Sequence, residues 1–325
     1  MPNIKQIAEA AGVSVTTVSR VLNHHPYVSE SKRKAVEEAI ALLNYSRNMN
    51  AVHLIKGSTQ TVGVILPRIN LFYFARMMEG MAQEALKYNY KLMLCQTAYR
   101  PEEERRVLEM LRDKQIDGLV ICSRSLPLDQ LEAYAEYGPI VLCEMVKDRP
   151  LSSVYFDHYA SFQKAIIYLW DKGHRKIGFT IGRRNSPSSR RRLKAYTDTL
   201  RTLGGEPRED WILGGCSDIE DGAALVDRLL SLKEQPDALL ITGDQVAAGF
   251  IFTARSRGLQ VPGDYAVIGF DNQPISEIIG ITTIDNRLSE IGSRAFEIVH
   301  EQISGQLNGP VTEEFSFRFI ERNSV

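Results

Sequence analysis

The chain has 325 residues, 44% of them hydrophobic and 24% charged, with a formal net charge of −1. That length suggests two to three domains with sizeable cores, and the balance is that of an ordinary soluble globular protein with no apolar stretch long enough to span a membrane. Cys95, Cys122, Cys143 and Cys216 stand far apart, without CxxC and without His at metal-ligand spacing, so they read as reduced core residues, with no metal and no cofactor expected. The opening "MPNIKQIAEA" has no apolar signal core, and a cytoplasmic location is expected.

The near-neutral total conceals a basic head. Before Gln60 stand Lys5, Arg20, Lys32, Arg33, Lys34, Arg47 and Lys56 against Glu9, Glu30, Glu37 and Glu38. Such a head suits a nucleic-acid contact, although charge alone favours the reading as a solvated helix face. In "NIKQIAEAAGVS", Ile4, Ile7, Ala8 and Ala11 follow the spacing of a one-sided helix with Asn3 as its cap, and Gly12 breaks it. Ser14 caps a second helix that turns Val18, Val21 and Leu22 inward and Val15, Thr16, Ser19 and Arg20 outward. A third helix, from Ser29 to about Leu43, closes a small all-α core with Val36, Ala39, Ile40 and Leu43.

Two short helices around a Gly-containing turn are the helix-turn-helix signature, whose second helix reads the DNA major groove. Val15 and Thr16 can pack on thymine methyls, and Arg20 is long enough for guanine or a phosphate. Ser14, Thr17, Ser19, Asn23 and Tyr45 are candidate phosphate partners, with capping an equal alternative for Ser14 and Thr17.

Residues 46–60, "SRNMNAVHLIKGSTQ", have the polar character of a linker. From Thr61 short apolar strands alternate with amphipathic helices: "TVGVILP", helix 75–88, "KLMLCQ", helix 102–114, "DGLVICS", helix 127–137, "IVLCE" and "SVYFD". The order then repeats with helix 159–172, "KIGFTIG", helix 189–204, "DWILGG", helix 220–232, "ALLITGD", helix 245–257 and "YAVIGFD". This predicts an α/β core of two doubly wound parallel-sheet lobes. The tail from "TTIDNRLSEIG" should cross back to the first lobe. The expected domains are 1–46 (helix-turn-helix headpiece), 47–60 (hinge) and 61–325 (core). Within the core, the first lobe takes 61–158 and 286–312, and the second takes 159–285 and 313–325.

Ligands of open α/β sheets sit beyond the carboxyl ends of the strands. The polar and aromatic residues there are Arg68, Asn70, Phe72, Tyr73, Glu144, Asp157 and Asp271. A turn role for Asp271 and a core role for Phe72 and Tyr73 stand beside the binding one. The chain lacks GxGxxG, GxxxxGK[ST] and GxSxG, so an enzyme is not expected.

"IKQIAEAAGVSVTTVSRVLN", continued by "YVSESKRKAVEEAIALLNY", resembles the N-terminal signature of the LacI/GalR family of bacterial transcription regulators. Within that family, "HLIKGSTQTVGVILP" and "LRDKQIDGLVICSR" look like the catabolite control proteins of Gram-positive bacteria, particularly the B-type paralogue. The resemblance implies a periplasmic-binding-protein type of core and a DNA-binding repressor of carbon-source genes. It implies a homodimer on a pseudo-palindromic double-stranded operator, controlled by a sugar or sugar-derived effector. It places Leu54 as a minor-groove wedge from a hinge helix, with packing on the core as the alternative, and Arg192 as the residue gripping the effector. A sugar-binding receptor of the same core without DNA activity is the alternative function, and it leaves the first sixty residues without a task.

Three departures from the family pattern stand out. Arg47 replaces a usual Pro before the hinge, and Gly243-Asp244 replaces Asn-Asp, removing one polar side chain from the cleft. Glu297 stands where relatives answering to seryl-phosphorylated HPr carry Arg, which leaves that partner open. The tail "EEFSFRFIERNSV" has no heptad repeat, so a dimer is expected rather than a coiled-coil tetramer.

Overall fold

The computed structural model describes residues 2–46 and 57–325. Most of the expected hinge, with Arg47, Ala51 and Leu54, lies outside the described residues. The chain divides into two compact units, 1–58 and 59–325.

The first unit is three helices: α1 (Ile4–Ala10), α2 (Val15–Leu22) and α3 (Glu30–Leu42). Asn3 and Gln6 satisfy each other's backbone N–H groups in a capping box, at 3.1 and 2.9 Å. Gly12, at φ +61°, makes the left-handed turn after α1 that a side chain would oppose. Ser14 then accepts from the Thr17 N–H at 3.2 Å to start α2. Ile7, Ala8, Val18, Val21, Val36 and Ala39 form the small core, with Leu22, Ile40, Leu43 and Tyr45 packed on it.

The second unit carries two six-stranded sheets. The first has β1 (Thr61–Leu66), β2 (Lys91–Gln96), β3 (Gly118–Ile121), β4 (Ile140–Leu142), β5 (Ser152–Phe156) and β11 (Thr312–Phe315), in the order β2-β1-β3-β4-β5-β11. The second has β6 (Ile177–Ile181), β7 (Ile212–Gly214), β8 (Ala238–Leu240), β9 (Ala266–Phe270), β10 (Thr282–Asp285) and β12 (Arg318–Ile320), in the order β7-β6-β8-β9-β10-β12. The like order in both sheets gives two lobes of one design, as the repeated βα alternation predicts. Neighbours are parallel except that β12 runs antiparallel to β10. Strands buried on both faces, such as β1 and β9, explain the near-continuous apolar runs.

Four helices pack in matched crossings. In the first lobe, α4 (Phe72–Lys87) meets α12 (Leu288–Ile303). A Cβ on Gly80 would come within 1.9 Å of the Ser289 carbonyl oxygen, and one on Gly292 within 2.0 Å of that of Met77. In the second lobe, α9 (Ile219–Leu230) meets α10 (Asp244–Ser256). Gly222 and Gly249 there stand 2.1 Å from the Val246 and Ile219 carbonyl oxygens by the same measure. Each pair of backbones touches through two glycines.

Two expectations are corrected. The helix expected at 75–88 begins at Phe72, so Phe72 and Tyr73 belong to its first turn. The lobe limit at 312 moves to about 316, because Thr312–Phe315 pair in parallel with Ser153–Phe156 of the first sheet. "TEEFSFRFI" reads as one alternating run, but the two open sheet edges, β5 and β10, each take half of it.

Candidate functional site

On α2, Val15 is 45% exposed, and Thr16 and Arg20 also face solvent. No hydrogen bond or ion pair of the Arg20 side chain occurs among the described residues. The Ser14 hydroxyl contacts that of Thr17 at 2.9 Å, so both serve the helix start. Asn23 donates to Ser19 at 3.5 Å, a weak tie, and Tyr45 is half-buried against the headpiece core. The outer face of α2 therefore offers two methyl-bearing side chains in its first turn and one long cation in its last, and no side-chain partner of Arg20 occurs among the described residues.

In the second unit, the carboxyl ends of both sheets converge on a cleft of about 390 Å³. Arg68, Phe72, Tyr73, Glu144, Arg192 and Asp271 all line it. Asn70 does not: it is exposed on the turn before α4, whose early start carries Phe72 and Tyr73 inward and leaves Asn70 outside. Asp157 is also elsewhere engaged, capping α7 (His158–Asp171) through the Tyr159 N–H at 2.8 Å and pairing with Arg191.

Arg192 projects from α8 (Pro187–Thr202). One amino group donates to His158 Nδ1 at 3.3 Å, and the guanidinium carbon lies 5.6 Å from the Phe270 ring centre. Because arginine can only donate, His158 accepts at Nδ1 and carries its proton on Nε2. Burial, with Arg192 and Arg191 nearby, holds the His158 pKa well below its usual range. Burial also lowers the Arg192 pKa, against the pull of Asp271. Arg192 Nε is shielded and without a partner among the described residues.

Asp271 directly follows β9 in a left-handed conformation, φ +88°, and Asn272 follows at φ +45°. Two such residues in succession are backbone strain held at the cleft. Asn286 Nδ2 donates to Asp271 Oδ1 at 2.7 Å. Burial pushes the Asp271 carboxyl up to about 6, opposed by the Asn286 hydrogen bond and Arg192. Glu144 is pushed up by burial and opposed by Arg124, with which it forms an ion pair. Asp244 is fully buried instead of facing the cleft, accepting from the Gln273 N–H at 2.7 Å and the Thr283 hydroxyl at 2.8 Å.

The cleft also gathers Tyr99, His158, Thr242, Gln245 and Gln273, which the sequence reading passed over, and Arg183, from the run Arg183–Arg192 that reads in sequence as a solvated face apart from Arg192. Tyr99 follows the strand "KLMLCQ", and Arg183 follows "KIGFTIG" directly. The strand-end rule that found Asp271 would have found Arg183. Together these groups offer donors and acceptors around aromatic walls, the chemistry that holds a polyhydroxylated ring.

Residues 3–48 match the family described as bacterial regulatory proteins, lacI family. Residues 59–320 match the family described as periplasmic binding proteins and sugar binding domain of LacI family. The HTH-type transcriptional regulator YkvZ of Bacillus subtilis (strain 168) is 42% identical over 326 residues, with 100% of both chains covered. Catabolite control protein B of the same organism is 38% identical over 300 residues, covering 92% of this chain and 94% of that protein. Among solved structures, the transcriptional regulator CelR–cellobiose complex shares 25% identity at a TM-score of 0.71, with 100% of both chains covered. An exposed α2 face and a two-lobed cleft, each matched over its own span, make one conclusion: the chain belongs to the LacI family and is a DNA-binding transcriptional regulator.

Proposed function

We propose that the protein is a homodimeric repressor of carbon-source genes whose grip on a pseudo-palindromic operator is set by a sugar-like effector in the cleft. The observation that carries the DNA side is the α2 face, where Val15, Thr16 and Arg20 are exposed and Arg20 is unpaired among the described residues. Val15 and Thr16 read thymine methyls, Arg20 reads guanine, and Ser14, Thr17, Ser19, Asn23 and Tyr45 fix the register on phosphates. Leu54 supplies the minor-groove wedge between paired hinges.

In the cleft, Arg192 donates to effector hydroxyls and Asp271 accepts from them, while Arg68, Glu144, Phe72 and Tyr73 complete the walls. The CelR complex with cellobiose supports this effector class. A phosphoprotein partner such as seryl-phosphorylated HPr fits poorly. Arg294 already serves Glu297, Glu301 and Glu313 at 3.0, 3.0 and 2.9 Å, leaving an excess of negative charge on that face.

The test is selection of DNA from a random pool by the purified protein, followed by binding at several salt concentrations. Enriched sites should be near-symmetric, with affinity falling steeply as salt rises, as for any multi-phosphate contact. Failure to enrich any sequence overturns the regulator reading for this chain.

Asp271 adds a pH signature. The native carboxyl keeps its proton up to about pH 6, while the unfolded chain releases it near pH ~4. Between those values the native state binds more protons, so its stability falls as pH rises through the window. Asp271→Asn should flatten that slope in thermal melts. Effector affinity should move the opposite way, weakening as pH falls below about 6, because the neutral acid is a poorer acceptor. In Asp271→Asn it should be weak at every pH, and calorimetry with a sugar identified by thermal-shift screening checks this. Equal affinity in the variant removes Asp271 from the site.

A further inference from the structure

Arg183 leaves the end of β6 in the second lobe and reaches the first. Its guanidinium carbon lies 3.6 Å from the centre of the Tyr99 ring. Its two amino groups point at the Arg124 carbonyl oxygen, at 3.4 and 3.5 Å. Among the described residues, no carboxylate lies within ion-pair distance of it; Glu104 and Glu144 act on it only at longer range, and its close contacts are the ring and the carbonyl.

The receiving surface is built to stay put. Ala98 and Tyr99 are successive left-handed residues, at φ +50° and +60°, and this strained pair turns Tyr99 into the cleft. The Ser125 hydroxyl fixes the Tyr99 carbonyl at 2.9 Å. Arg124 is locked by its ion pair with Glu144 and by donation to the Leu126 carbonyl at 2.5 Å. Beneath it, the buried Glu104 carboxylate takes the Ser125 and Leu126 N–H groups at 2.7 and 2.9 Å. Five side chains thus fix a socket in the first lobe for one side chain of the second.

The lobes are joined covalently at three crossings, near residues 157, 286 and 316. Among the described side-chain hydrogen bonds, those of Arg183 are the ones that span the lobes away from these crossings. We propose that Arg183 and Tyr99 are a closure clamp: positioning residues that hold the cleft shut over its effector site before any effector arrives. Both contacts are soft, a cation over an aromatic face and two long hydrogen bonds. Closure is therefore readily reversed, and an effector that inserts between ring and guanidinium opens the cleft, whereas one lying beneath them keeps it closed. The clamp rests on the regulator reading only in taking the cleft to be the effector site.

The experiment compares ligand-free full-length protein with Arg183→Ala, Arg183→Lys and Tyr99→Leu by small-angle X-ray scattering, with operator affinity measured in parallel. Arg183→Ala and Tyr99→Leu should raise the open-to-closed ratio by about 10-fold, read as a larger radius of gyration at an unchanged melting temperature. Arg183→Lys, which keeps the charge over the ring, should fall between them and wild type. Operator affinity should shift in the same direction in the Ala and Leu variants. Wild-type scattering in both variants overturns the clamp. An opened cleft with wild-type operator affinity upholds the clamp and counts against the coupling of cleft to DNA.

Discussion

Gly292→Ala should lower the melting temperature of the core by roughly 10 °C, through a loss of about 3 kcal/mol. The added carbon would stand 2.0 Å from the Met77 carbonyl oxygen, a backbone atom that no rotamer change can remove. To make room, α12 and α4 must separate, opening the cluster in which Met77, Met81, Phe74, Phe296 and Ile291 are buried together. A stability of 5–15 kcal/mol is typical of whole domains, so ~3 kcal/mol is a large share. Gly214→Ala is the control, because a carbon there meets nothing within 4 Å and should leave the melt close to wild type. Equal melts for the two variants would show that the helices do not cross at contact distance.

Arg20→Ala should erase most of the preference for operator over random DNA. A bidentate arginine–guanine contact is worth ~1–3 kcal/mol of discrimination, and a symmetric dimer makes it twice. The ratio of specific to non-specific affinity should therefore fall by about 30-fold to 10⁴-fold. Val18 and Val21 hold α2 in place from the opposite face, so the helix itself should survive the change. Competition between labelled operator and excess random duplex measures the ratio. A uniform loss on both duplexes would reassign Arg20 to a phosphate.

The architecture was legible because its signals are local and periodic. Apolar residues at helical spacing marked α1 to α3, and continuous apolar runs of strand length marked both sheets. The site was partly legible, since strand ends can be read without knowing the fold: Arg68, Phe72, Tyr73, Glu144 and Asp271 do line the cleft. Asn70 was misplaced because the start of α4 could not be read to within three residues, and a helix turns by about 100° at each of them. Tyr99 was missed for another reason. It is aimed by two left-handed residues that are not glycine, and no sequence pattern announces that strain. The division of "TEEFSFRFI" between two sheets was equally silent, because only the final count of free sheet edges decides it.

That division has a consequence for how the molecule is made. Among the described residues, the headpiece core draws on the stretch from Ile4 to Tyr45. Both sheets, by contrast, wait for strands near the far end of the chain, Thr312–Phe315 for one and Arg318–Ile320 for the other. Ser324 adds a last fastening, accepting from the Thr282 N–H at 2.8 Å and donating to the Val267 carbonyl at 2.6 Å. During translation the reading head can fold while the ribosome is still far upstream of these strands, whereas the first sheet lacks its last strand until residue 315 has emerged and the second until residue 320 has. A nascent chain thus completes its DNA-contacting head long before the core that carries the cleft.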